Sequence, residues 1–121
     1  IFAVPSIAPP VIYPIYGNSF KNLFHAGLPE GHDAFAKWID GLQDLKARAK
    51  ILVRIERLAA GNPGDVKPVG EGVSELRIDY GPGYRVYFKK IGQVVVILLA
   101  GGDKHSQSKD IKTALRLADN M

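Results

Sequence analysis

Two arginines, a tyrosine and a lysine in the second half of the chain have the side chains that phosphate chemistry requires. Arg85 and Tyr87 lie two residues apart in the segment GPGYRVYF, so alternation along a strand puts them on one face. Arg77 lies on the preceding predicted strand, and Lys104 follows a Gly-Gly pair after a long apolar run. A guanidinium group matches phosphate oxygens with its planar fork and stays charged. These four residues predict a site that grips a phosphate backbone.

Cleavage of RNA is the reaction that this set of side chains could support. The 2′-hydroxyl must lose a proton, the pentavalent phosphate needs positive charge beside it, and the 5′-oxygen must gain a proton. Arg85 and Arg77 suit the phosphate, and Tyr87 suits proton donation or base stacking. A lysine or tyrosine among cations should have a depressed pKa, which favours proton transfer. The alternative is that the two arginines form cross-strand ion pairs with Glu75 and Asp79.

A second group of basic residues lies on a predicted helix. Lys46, Lys50, Arg54 and Arg57 recur at spacings of four, four and three, which puts them on one helix face. Such a row is usually a solvated face, but it could also contact RNA or an acidic segment of a partner. His105, in the Gly-Gly-Asp-Lys-His turn, is either an ordinary turn residue or a candidate acid.

Three helices and a small sheet must position these residues. Asp33 is the expected N-cap of a first short helix, residues 45–61 form a second, and residues 109–118 form a last one. The predicted buried stripe of the second helix comprises Leu45, Ile51, Leu52, Ile55, Leu58 and Ala59. Strands are predicted at 65–69, 74–80, 84–90 and 94–100. This order predicts an α+β domain.

The hairpin around Gly-Pro-Gly fixes the geometry of the site. A three-residue loop would set Tyr80 opposite Tyr84 and Asp79 opposite Arg85. Apolar pairs would then fall on one face and complementary charges on the other. The strand at 94–100, apolar on both faces, is the predicted central strand, which the glycine pair ends. Helices should cover one sheet face and leave the face with the arginines and the tyrosine partly open.

Composition is typical of a single soluble domain. The chain has 121 residues, 46% hydrophobic and 23% charged, and no cysteine, which suits a reducing cytoplasm. The net charge of +4 falls entirely in residues 33–121, since residues 1–32 hold one lysine and one glutamate. A basic body favours polyanionic or acidic partners. The three histidines are scattered, so no metal site and no cofactor are predicted.

Residues 1–32 form a separate, apolar N-terminal arm. Four prolines among its first 14 residues forbid a continuous membrane-spanning helix. The arm is predicted to be irregular, with an edge strand near residues 11–16. Its apolar character predicts that it docks on residues 33–121 or on a second copy, so a homodimer through the arm is left open.

Five motifs follow one another along residues 33–118, each occurring once. They are F-x-x-W with the following DLKARA, then RIERLAAGNPGD, GVSELRI, GPGYRVYF, and LLAGGDKHSQSKDI. As a set they resemble the RelE/ParE toxin superfamily, and within it the HigB-like addiction module killer proteins. The resemblance implies two N-terminal helices packed on a small, mainly antiparallel sheet, with a C-terminal helix. It does not extend to the arm.

The resemblance also implies a function. Such proteins are toxins of type II toxin–antitoxin systems, and the HigB-like branch implies a metal-independent, ribosome-dependent mRNA endoribonuclease that stops translation. The partners implied are mRNA on the ribosome and a helix-turn-helix antitoxin encoded beside the toxin; no membrane is implied. Two alternatives remain open: a gyrase inhibitor of the ParE-like branch, and a non-catalytic module that binds nucleic acid or protein.

The resemblance can be carried over residue by residue. Arg85 matches the phosphate-gripping arginine of the GYR strand, Lys104 falls at a basic position after the glycine turn, and Arg77 and Lys67 fall near other basic positions. Relatives often have a tyrosine or histidine near the last helix, which here leaves Tyr87 or the turn histidine as acid or base. The predicted catalytic residues are Arg85, Lys104, Tyr87 and Arg77, and the predicted RNA-binding residues are Lys67, Lys89, His105, Lys46, Lys50 and Arg54.

Overall fold

The chain forms three helices and five strands in the computed structural model, which describes residues 11–13, 34–91 and 95–119. In chain order the elements are β1 (Val11–Tyr13), α1 (Ala34–Gly41), α2 (Leu45–Ala59), β2 (Val66–Gly70), β3 (Val73–Ile78), β4 (Tyr84–Ile91), β5 (Val95–Asp103) and α3 (Gln107–Asp119). The predicted α+β class is confirmed. The N-cap expected at Asp33, the start of the predicted strand at residue 94 and the rest of the arm lie outside the described residues.

The strands form one sheet in the order β1-β5-β4-β3-β2. The pairs β2–β3, β3–β4 and β4–β5 are antiparallel. The pair β1–β5 is parallel and sets Val11 opposite Val95 and Tyr13 opposite Ile97. The edge strand expected near residues 11–16 is therefore present over residues 11–13, and this part of the arm docks on its own chain. The middle strand is β4, so the prediction that residues 94–100 form the central strand is wrong.

The β3–β4 hairpin has a register two residues away from the predicted one. Ile78 lies opposite Tyr84, and Arg77 lies opposite Arg85; the predicted pairing of Tyr80 with Tyr84 and the other predicted pairs are wrong. Because side chains alternate with a period of two, this shift keeps each side chain on its predicted face. It changes the partners, and it brings two arginines together where opposite charges were expected.

The turn of this hairpin explains the shift. It spans residues 79–83 rather than three residues, because pairing ends at Ile78 and resumes at Tyr84. Gly81 and Gly83 have φ angles of +55° and +84°, which glycine adopts at little cost. Within the turn the N–H of Gly83 donates to the carbonyl of Tyr80 at 3.0 Å.

Helices cover both faces of the sheet. One face carries α1 and α2, and its core includes Phe35, Ile39, Ile51, Ile55, Leu76, Val86 and Leu98. The other face carries α3, and its core includes Tyr87, Ile97, Leu99, Ala114, Leu117 and Ala118. The expectation of helices on one face only is wrong. The reason lies in β5, whose side chains are apolar on both sides and therefore need cover on both faces.

The glycine pair allows this two-sided cover. Strand β5 continues through Gly101 and Gly102 to Asp103, so the prediction that the pair ends the strand is wrong. A Cβ atom at Gly101 would collide with the ring of Trp38, and one at Gly102 would collide with the carboxylate of Asp110. The absence of a side chain lets α1 approach one face and α3 the other.

Helix α2 begins where a capping residue stands. The side chain of Asp44 accepts hydrogen bonds from the backbone N–H groups of Lys46 and Ala47, both at 3.1 Å. The buried residues of the helix are Ala47, Ile51, Ile55 and Leu58. Leu45, predicted in the buried stripe, is 70% exposed, because it lies about 200° around the helix from Ala47. No helix in the described ranges is long and apolar enough to cross a bilayer.

Candidate functional site

A cleft of about 370 Å³ lies at the turn end of the β3–β4 hairpin. Its cations are Arg77 from β3, Arg85 from β4 and Lys104, which follows β5. Asp65 and Asp79 supply two carboxylates. The other lining residues are Ile78, Gly81, Pro82 and Gly83. Three of the four residues predicted to be catalytic therefore share one cleft.

Lys104 reaches the cleft because the pairing of β4 with β5 extends as far as Asp103, which lies opposite Tyr84. A Cβ atom at Gly83 would lie 3.7 Å from the Cβ of Lys104, so the lysine stands beside the hairpin turn. Asp103 fixes the chain at this point, since its Oδ1 accepts hydrogen bonds from the N–H groups of His105 (2.8 Å) and Ser106 (3.2 Å). These two hydrogen bonds cap the turn that follows β5.

A buried carboxylate lies behind the two arginines. Glu75 is 1% exposed and is the buried charged residue of the described chain. Its Oε1 lies 3.9 Å from the Nε of Arg77, and its Oε2 lies 4.0 Å from the Nε of Arg85. Arg77 has a second carboxylate, Asp65, at 3.9 Å. The ion pairs considered as the structural alternative are thus present in part, with Glu75 shared between both arginines.

Tyr87 is not on an open face. It is fully buried under α3, and its hydroxyl donates a hydrogen bond to Oε2 of Glu75 at 3.1 Å. Burial, and then the negative charge of Glu75, raise the pKa of Tyr87 well above the ordinary value for tyrosine. The expectations of an exposed Tyr87 and of a depressed tyrosine pKa are therefore both wrong for this residue, because α3 removes water that the sequence pattern did not account for.

A second cleft, of about 520 Å³, runs along α2. Its lining comprises Lys46, Ala49, Lys50, Val53, Arg54, Arg57, Ile78, Asp79 and Tyr80. The guanidinium of Arg54 donates to the carbonyls of Arg77 at 2.6 Å and Pro63 at 2.8 Å, so it ties the helix to the sheet. The ammonium of Lys50 lies 5.1 Å from the centre of the Tyr80 ring. The two clefts share Ile78 and Asp79.

The other basic residues predicted to bind RNA line neither cleft. Lys67 is exposed on the edge strand β2, opposite Glu75. Lys89 lies opposite Val73, two residues farther along β4 than Tyr87. The side chain of His105 is 87% exposed, with Nδ1 3.9 Å from Oδ1 of the preceding turn aspartate. Within the described ranges, no three His, Asp or Glu side chains are grouped so as to hold a metal ion.

Comparison with known proteins gives a family for this arrangement. The family model described as "Phage derived protein Gp49-like (DUF891)" matches residues 37–121. The chain belongs to this family. An "Uncharacterized protein" of Haemophilus influenzae (strain ATCC 51907 / DSM 11121 / KW20 / Rd) is 55% identical over 87 residues, which are 72% of this chain and 88% of the relative. No solved structure matches the chain.

Membership of the Gp49-like family indicates a general role. The family is one of RelE-like toxins of toxin–antitoxin systems, and a toxin of this type has an antitoxin partner. The matched range contains both clefts completely, whereas β1 lies outside it. The family match thus applies to the part of the chain that carries the candidate site.

Sequence reasoning missed several polar residues of this Gp49-like site. Asp65 and Asp79 line the first cleft, and the Nε2 of Gln107 donates to Oε2 of Glu75 at 2.8 Å. The sequence did indicate that Glu75 could belong to the site, because it shares a strand face with Arg77 and so lies next to a candidate residue. Nothing in the sequence indicated that Gln107 contributes, since its contact with Glu75 depends on which sheet face α3 covers.

Proposed function

We propose that this Gp49-like protein is the toxin of a type II system and that it cleaves mRNA on the ribosome, as HigB-like endoribonucleases do. One observation carries the proposal: Arg77 on β3, Arg85 on β4 and Lys104 after β5 line a single cleft. Three cations at one point suit a phosphate that gains negative charge in the transition state. The RelE-like arrangement of helices around the sheet is part of the same proposal.

In this scheme the arginines bind the scissile phosphate. The side chain of Arg85 is 12% exposed, which limits its motion and favours a fixed contact with one phosphate oxygen. Arg77, directly opposite on β3, is more exposed and contacts a second oxygen. Lys104 stands at the exposed rim of the cleft and neutralises charge at the oxygen that the fork of an arginine does not reach.

Proton transfer falls to the polar residues at the rim. Asp79 is exposed and lines the cleft, so its carboxylate is the group that accepts the proton of the 2′-hydroxyl. His105, next to Lys104, is the group that protonates the 5′-oxygen. Tyr87, predicted from the sequence to act in catalysis, lies behind Glu75 and has a raised pKa, so in this scheme it supports the carboxylate instead.

The flanking RNA follows the second cleft. This cleft joins the first at Ile78 and Asp79, so one strand can continue from one into the other. Lys50 over the ring of Tyr80 combines a cation with an aromatic face, as single-strand binding surfaces do. Lys46 adds a second phosphate contact. Lys67 and Lys89 extend the basic surface beyond the first cleft, and the antitoxin must block one of these surfaces.

Pulse labelling after induction tests this function. Cells that express the protein are labelled with radioactive methionine and, in parallel, with radioactive thymidine. We expect methionine incorporation to fall first, because cutting mRNA stops translation before replication. Loss of thymidine incorporation first would indicate a gyrase inhibitor, and unchanged incorporation of both would indicate a non-catalytic binding module. As a control, co-expression of an adjacent helix-turn-helix gene should restore incorporation.

A further inference from the structure

Glu75 is a buried charge whose position calls for an explanation. It lies on β3 under α3, and its carboxylate is satisfied by two hydrogen bonds to Oε2, from the hydroxyl of Tyr87 at 3.1 Å and from Nε2 of Gln107 at 2.8 Å. A carboxylate removed from water is stable only where it is paired and hydrogen-bonded. Two neutral donors fix the direction of the carboxylate, and the charges that pair with it are those of the arginines.

The two arginines need such an anion. Arg77 and Arg85 lie directly opposite each other on β3 and β4, and like charges in that position repel. Both approach Glu75 through Nε, at 3.9 Å and 4.0 Å, and both also line the cleft. The Nε of Arg85 is buried and has no hydrogen-bond partner among the described residues. The carboxylate of Glu75, the opposite charge nearest to this Nε, is therefore the group that can hold the Arg85 side chain in place.

We propose that Glu75 is a positioning residue of the cleft: its buried negative charge holds Arg77 and Arg85 side by side with their guanidinium groups at the cleft wall. Tyr87 and Gln107 act on the arginines only through it, by fixing the carboxylate. The proposal rests on the proposed function for the identity of the phosphate that the arginines meet. The placement of the two side chains can be measured without RNA.

The first measurement uses the wild-type protein alone. In ¹⁵N-labelled protein the Nε–H of Arg85, assigned by its loss in Arg85→Lys, should exchange with water much more slowly than the Nε–H of the exposed Arg116. In Glu75→Gln the Arg85 signal should shift and exchange faster, because the amide carries no charge. Wild-type exchange at Arg85 as fast as at Arg116, or an Arg85 signal unchanged in Glu75→Gln, would overturn the proposal.

The second measurement separates positioning from binding. On ribosome-bound mRNA we expect Glu75→Gln to lower the single-turnover rate on the order of 10²-fold, as a small misplacement of a catalytic group does. The protein concentration that gives half of the maximal rate should be unchanged or lower, because the variant has one negative charge fewer to repel RNA. Glu75→Asp should recover part of the rate. Glu56→Gln, the same change on the exposed side of α2, should cut like wild type.

The outcomes remain distinguishable from those of the proposed function. Two results for a folded Glu75→Gln would count against positioning. One is the wild-type rate, and the other is an unchanged maximal rate with a higher protein concentration for half of that rate. If Glu75→Gln does not fold, the wild-type exchange rate at Arg85 decides. If the wild type does not cut mRNA while Arg85 is protected and responds to Glu75→Gln, the nuclease proposal fails and the positioning of the arginines by Glu75 stands.

Discussion

At the scale of single residues, Arg85 and Tyr87 show how one strand face serves two purposes. They lie two residues apart on the same side of β4, yet Arg85 lines the cleft whereas Tyr87 is covered by α3. Glu75 lies opposite Tyr87 and contacts both side chains. The buried half of the face therefore holds the carboxylate, and the carboxylate stands next to the guanidinium that meets the cleft.

The tyrosine makes stability depend on pH in the alkaline range. Its pKa is raised in the folded state, first by burial and then by Glu75, whereas an unfolded tyrosine ionises near pH 10. Above about pH 10 the unfolded chain releases a proton that the folded chain keeps, so stability falls as pH rises, by about 1.4 kcal/mol per pH unit. We expect this loss to be steeper in wild type than in Tyr87→Phe.

Urea unfolding from pH 8 to pH 11 measures this difference. Tyr84, whose pKa is also raised by burial, titrates in both proteins and cancels in the comparison. At neutral pH, Tyr87→Phe should lose only the stability that comes with one hydrogen bond to a charged group, about 1.5–3 kcal/mol. Stability curves that run parallel in the two proteins up to pH 11 would show that Tyr87 is accessible to water.

At the scale of elements, the glycine pair of β5 sets how closely two helices approach the sheet. The colliding atoms at Gly101 belong to the ring of Trp38, and those at Gly102 belong to Asp110 in the first turn of α3 and to Ser106 just before it. We expect Gly101→Ala and Gly102→Ala each to cost about 1–3 kcal/mol through overpacking, measured by thermal unfolding.

A third glycine provides the control for these substitutions. Nothing lies within 4 Å of a Cβ atom at Gly41, the last residue of α1. Gly41→Ala should therefore raise stability by about 0.5–1 kcal/mol, since alanine favours the helix. Equal effects at all three glycines would mean that backbone freedom, rather than the close approach of the helices, determines the cost of replacing Gly101 and Gly102.

The sequence indicated the faces of the hairpin strands better than their partners. Alternation in SELRI and YRVYF assigned Arg77 and Arg85 to one face, and a shift of two residues left that assignment intact. The partners depended on a five-residue turn with two glycines at positive φ, which composition alone does not distinguish from a three-residue loop. The burial of Glu75 was also beyond the sequence, because the amphipathic pattern of α3 shows that it packs, not against which sheet face.

At the scale of the whole molecule, the two clefts lie on either side of one hairpin end. The first is lined from the sheet and the second from α2, and they meet at Ile78 and Asp79. Arg54 joins them mechanically, since its guanidinium donates to the carbonyl of Arg77. A partner that covers this hairpin end would therefore block both clefts.

The most direct test of the central claim is to map the 5′ ends of ribosome-bound mRNA by primer extension after adding purified variants. Arg85→Lys keeps a positive charge beside Glu75 but loses the planar fork, and Lys104→Ala removes the exposed cation at the rim. We expect each to lower cutting on the order of 10²–10³-fold, while Arg116→Ala and Lys112→Ala, both exposed on α3, cut like wild type. Lys104→Ala should also change stability by less than about 0.5 kcal/mol. Wild-type cutting by folded Arg85→Lys and Lys104→Ala would contradict the assignment of this cleft as the site of cleavage.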